Sequence, residues 1–116
     1  MLLAACGDKN KSYTGETTAT HDCAKEPALS IATNNATLTF TSTCERVSIN
    51  GDNNLVKIAA TSAVVINGSK NVVEIGATDK VSVNGSDNTI RYAKTLTGST
   101  PSIGITGNNN RVDRAD

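Results

Sequence analysis

The sequence predicts an all-β chain: a single-domain parallel β-helix, or β-solenoid, of about five coils with a 17-residue repeat. The repeat itself is the first observation. Val47-Ser-Ile49-Asn-Gly51-Asp-Asn-Asn54-Leu-Val56-Lys-Ile58 is followed 17 residues on by Val64-Val-Ile66-Asn-Gly68-Ser-Lys-Asn71-Val-Val73-Glu-Ile75. The unit returns after another 17 as Val81-Ser-Val83-Asn-Gly85-Ser-Asp-Asn88-Thr-Ile90-Arg-Tyr92. The second observation is the period inside each unit: Val47 and Ile49 flank Ser48, and Val56 and Ile58 flank Lys57, which is the alternation of short strands. The third is composition. With no Trp, one Phe and two Tyr, the chain cannot fill a thick globular core. It can fill a narrow column of small branched side chains beside a hydrogen-bond ladder.

Taken in chain order, residues 1–5 read as the remnant of a signal peptide and residues 6–20 as a lipidated cysteine followed by a flexible tether. Leu3-Ala4-Ala5-Cys6 resembles a bacterial lipobox, in which the cysteine thiol takes the lipid; the alternative is an ordinary N-terminus. A basic n-region and most of an apolar h-region are missing, so the expectation is a chain that begins inside its signal peptide. From Gly7 to Thr20 the residues are almost all small or polar, a composition that cannot offset its ordering entropy.

The solenoid domain is expected over residues 21–116. Cys23 and Cys44 are expected to form a disulfide that pins the N-terminal cap to the first coil, closing a loop of roughly 21 residues worth about 3 kcal/mol. Two free thiols, or a metal site built on His21, Asp22 and Cys23, are the alternatives. The single histidine and the lack of a CxxC spacing argue against metal. An earlier copy of the unit, Leu29-Ser-Ile31 with Leu38-Thr-Phe40, precedes the first full one at an offset of 18 residues. A last copy, Ile103-Gly-Ile105-Thr-Gly107-Asn-Asn-Asn110-Arg-Val112, follows an insertion around Lys94 to Pro101.

Between the strands of each unit lies Asn-Gly-x-x-Asn, a turn in which glycine supplies positive φ. Asn-Gly is also a hairpin turn, so a meander of hairpins is the rival fold. Stacked coils, unlike hairpins, demand the same residue at the same place in every copy. A right-handed helix is expected, because the hexapeptide rule usual in left-handed forms is absent. Stacking then aligns Val47, Val64 and Val81; Ile49, Ile66 and Val83; and Val56, Val73 and Ile90 as core columns. Asn54, Asn71 and Asn88 form an inward-turning asparagine ladder that bonds turn backbone and the next amide.

These features resemble the DUF3060 family, small exported bacterial proteins and lipoproteins of unknown function. The resemblance covers Cys23 to Val112 and rests on the two cysteines and on V-x-V-x-G-x-N-N-x-V units at Val47–Val56, Val64–Val73, Val81–Ile90 and Ile103–Val112. Two units depart from that pattern, at Lys70 and Asp87. The resemblance implies a β-helix and an exported location, and it carries over no catalytic residue.

The chemistry expected is slight. Eleven basic and eleven acidic residues cancel, so no field steers nucleic acid or an anionic membrane, and scarce aromatics leave no stacking platform. The column Lys57, Glu74, Arg91 alternates in sign and is expected to form a surface charge ladder rather than a catalytic set. Asp52 and Asp87 lie in different coils with Lys70 between them, which disfavours a shared calcium ion. No enzyme activity, cofactor or metal is expected. The expected function is a protein-binding module of the cell envelope, periplasmic or at the outer membrane and tethered by its lipid; one form is an immunity protein that blocks an envelope-targeted toxin. The alternative is a structural spacer with no tight partner. Tyr92, Lys94, Leu96 and Pro101, in and beside the insertion, are the candidate partner contacts, and an exposed coil edge is a candidate homodimer contact.

Overall fold

The computed structural model describes residues 10–15, 18–25, 27–98 and 100–114. Nine strands lie among them: β1 (Asn10–Thr14), β2 (Thr18–Asp22), β3 (Ala28–Ala32), β4 (Thr37–Asn50), β5 (Leu55–Ser69), β6 (Val72–Ser86), β7 (Thr89–Lys94), β8 (Ser102–Asn108) and β9 (Arg111–Arg114). Every pairing among these strands is parallel, which a meander of hairpins cannot produce. The chain winds through about six turns of a β-solenoid. β5 and β6 each run most of the way round one coil, and Val47 pairs with Val64 and Val64 with Val81 at the 17-residue repeat.

The coils below β8 bury the side chains that the alternation marks. From Leu55 onward, Val56 and Ile58 point inward from one side, Thr61 from a second, and Val64 and Ile66 from a third; all are 3% exposed or less. Covering a Val or Ile in this way contributes about 1.5–3 kcal/mol. The second side is narrow, and its inward column is Cys44, Thr61 and Thr78. The Thr61 hydroxyl donates to the Ala63 carbonyl at 2.9 Å, so its burial leaves no polar group unpaired.

The 18-residue offset of the first copy has a local cause. Between β4 and β5 the register shifts from Phe40↔Ile58 to Thr43↔Ala60, and Ser42 in the gap takes φ 63°. One extra residue bulges out at this corner, and the pairing resumes in step.

The tether expected over residues 6–20 is corrected by the structure at Asn10–Thr14 and from Thr18 onward, which are strands. β1 pairs with β3 and β2 with β4, so a further rung begins at Asn10, ahead of the boundary set at His21. A parallel ladder gains backbone hydrogen bonds whatever the side-chain composition, and Tyr13 supplies the apolar anchor, packing its ring 6.0 Å from that of Phe40. Residues 1–5 and Cys6 lie outside the described residues.

Candidate functional site: the insertion and the last coil

The turn at the end of each third-side strand is held by glycine. Gly51, Gly68 and Gly85 take φ 139–143°, and a Cβ at Gly68 would overlap the Gly51 carbonyl oxygen one coil below. The coils can therefore stack here only without a side chain. Beside these turns the asparagines stand in register. The Asn71 Oδ1 accepts the Asn54 backbone N–H and side-chain amide, each at 3.1 Å, while the Asn71 Nδ2 donates to the Gly51 carbonyl at 2.9 Å. Asn88 repeats this arrangement above Asn71. Asn110 extends the ladder by one step that the sequence reading left out, accepting from Asn88 and donating to the Gly85 carbonyl at 2.8 Å. Asn54, Asn71 and Asn88 are at most 1% exposed, so these amides hold the fold and present nothing to a ligand. Asp52 is likewise engaged: its Oδ1 accepts the Ser69 N–H at 2.9 Å.

Cys23 and Cys44 form a disulfide with Cα atoms 4.9 Å apart, both sulfurs inside the narrow column. Cys23 is thereby excluded from the alternative metal set. Next to it, the Ala24 backbone N–H donates to Asp22 Oδ1 at 3.0 Å and, with a bond from Ser42, holds the Asp22 carboxyl below its ordinary value. Lys57, Glu74 and Arg91 are aligned by the strand register, and Asp113 continues their alternation of charge. Among the described residues no three His, Cys, Asp or Glu side chains gather to hold a metal ion, and no helix is long and apolar enough to cross a membrane.

The insertion is more ordered than its irregular sequence suggests. Asp79, on β6, reaches up one coil: its Oδ1 accepts the backbone N–H of Leu96 at 2.9 Å and of Thr97 at 3.1 Å, and the Thr97 hydroxyl at 3.2 Å. Asp79 escaped the sequence reading, although it stands 17 residues before Leu96, at the place where the preceding coil has Ser62. The loop so anchored forms, with the end of the last coil, a cavity of about 490 Å³ lined by Tyr92, Lys94, Thr95, Thr100, Pro101 and Arg114. Three of the four candidate contacts thus converge. Leu96 is not part of this lining and stands 41% exposed. Arg114 Nε donates to the Ala93 carbonyl at 3.3 Å, tying the last strand to the coil below.

The parallel rungs, the obligate turn glycines and the internal amide ladder define the protein as a small parallel β-solenoid. The model of the DUF3060 family, described as a protein of unknown function, matches residues 60–97, so the chain is similar to that family over this stretch. The matched stretch holds the last ten residues of β5, all of β6, β7 with Tyr92 and Lys94, and the start of the insertion with Leu96. No curated protein and no solved structure matches the chain.

Proposed function

We propose that the protein is a non-catalytic protein-binding module of the bacterial cell envelope, tethered by lipid on Cys6, and that it meets its partner through the insertion between β7 and β8. The observation that carries this reading is the Asp79 anchor. A loop with three hydrogen bonds to one carboxylate presents Leu96 and the Lys94-lined cavity in one fixed geometry, so little ordering entropy is lost on binding. An exposed leucine beside a polar cavity suits a protein surface with one apolar anchor and a polar rim.

The test is a pull-down from the source organism's envelope fraction on the full chain, with Cys6→Ser to keep it soluble. The expected result is one protein at equal stoichiometry, lost when the bait carries Lys94→Glu and Leu96→Asp. A toxin in that position would make the protein an immunity factor. If wild type and double variant retain the same proteins, or neither retains any, the reading fails and the structural spacer takes its place.

A further inference from the structure

The core columns end differently at the two ends of the solenoid. At the N-terminal end Tyr13, His21 and Phe40 form a ring cluster with centroids 5.9, 6.0 and 6.2 Å apart, and Tyr13 and His21 are only 6% and 8% exposed. At the C-terminal end nothing comparable stands over β8 among the described residues. Ile103 pairs in register with Val81 and Ile105 with Val83. Val81 and Val83 are each 1% exposed, yet Ile103 is 39% and Ile105 46% exposed. Every residue of β8 is exposed, and β8 is paired on one edge, to β6, and β9 on one edge, to β7. Two branched apolar side chains at core positions, beside an open strand edge, form a surface built to be covered.

We infer that the C-terminal end of the solenoid is covered by the same end of a second copy, in a closed two-fold dimer. A suitable partner must bring a strand edge and branched apolar side chains at alternate positions, and β8 supplies both. The first rung also has open strand edges, since β1 pairs only with β3 and β2 only with β4, but the branched apolar side chains exposed at core positions are those of β8, so pairing like end with like end gives a closed two-fold dimer. The two-fold sets β8 antiparallel to its counterpart. Centred on Gly104, this pairing puts Ile103 opposite the partner's Ile105 and Ser102 opposite the partner's Thr106. It therefore joins core position to core position and outward position to outward position. β8 contains no charged residue, so no like charges meet across the paired strands. The same lack of charge on β8 leaves a strongly acidic or basic partner nothing on that strand to pair with.

The test is size-exclusion chromatography with light scattering on the full chain carrying Cys6→Ser, from about 1 μM to about 1 mM. The mass is expected to rise from the 12.0 kDa of one chain toward twice that value. Ile105→Lys is expected to stay at one chain's mass while keeping the wild-type circular dichroism spectrum. A wild-type chain that remains at one chain's mass at the highest concentration overturns the inference, as does a folded Ile105→Lys that still doubles. Should Ile105→Lys fail to fold, Gly104→Cys decides. A Cβ there meets no atom within 4 Å, and two-fold pairing brings the two thiols within bridging distance. Mild oxidation is then expected to cross-link Gly104→Cys and not Thr20→Cys on the first rung; no cross-link, or equal cross-linking of both, overturns the proposal.

Discussion

The two departures from the repeat pattern, Lys70 and Asp87, gain a physical meaning from the backbone. Both have φ 58°, the same left-handed conformation that Asn35, Asn53 and Asn109 adopt in their own coils. Asparagine tolerates this region because its short side chain bonds locally, whereas lysine pays a steric penalty. In Asn53-Asn54 and Asn109-Asn110, then, the first residue serves the turn and the second serves the ladder. Lys70→Asn is expected to stabilise the protein by about 0.5–1 kcal/mol, read as a higher urea midpoint at unchanged slope. Asn71→Ala is expected to cost about 3 kcal/mol in the same assay, since it leaves the buried Asn54 N–H and the partly buried Gly51 carbonyl without their partner. The repeat itself showed the ladder column. The division of labour within the pair was not legible, because φ leaves no trace in residue identity when Lys and Asp occupy a site that favours Asn.

Among the elements, the rungs differ in what holds them. The first rungs bury the largest apolar side chains, Phe40, Ile31 and Leu38, and carry the disulfide, whereas β5 and β6 carry Val and Ile columns without a cross-link. Replacing both cysteines, Cys23→Ser with Cys44→Ser, is expected to lower stability by about 3 kcal/mol through the freed unfolded chain, visible as a lower urea midpoint. The insertion depends on a single carboxylate. Asp79→Ala is expected to leave the unfolding midpoint within about 0.5 kcal/mol of wild type while exposing the segment from Lys94 to Pro101 to limited proteolysis. If cleavage there is no faster than in wild type, Asp79 is not the anchor. Cys23 and Cys44 could be paired from their number and from the expectation of export. Asp79 could not be joined to Leu96 from residue types alone, because an aspartate one coil below a loop resembles any other surface aspartate until the coils are stacked.

At the scale of the molecule, order should be greatest in the middle and fall toward the open end. β5 and β6 each have a neighbour above and below, while β8 is exposed throughout. In hydrogen exchange at micromolar protein, amides of β5 and β6 are expected to exchange slowest and those of β8 fastest among the rungs described. Protection in β8 equal to that in β6 would show that the last coil is no frayed end. The charge column Lys57, Glu74, Arg91 and Asp113 runs along one side of the rod with its signs alternating, so it leaves no extended single-sign patch.

The amino-acid order alone was enough for the parallel solenoid, its repeat, the core columns and the amide ladder, because stacked coils place equivalent residues in equivalent surroundings and so write the fold as a period. Where the repeat starts and how it ends were settled in three dimensions. The first rung forms from polar residues whose backbone hydrogen bonds are invisible in composition, and Tyr13 joins it through a contact with Phe40 that spans two rungs. The exposure of Ile103 and Ile105 is likewise unreadable locally: their unit resembles every other, and what sets it apart is that no further described coil lies on top of it. A repeat specifies what each coil needs from its neighbours, and the neighbours themselves are a property of the stack.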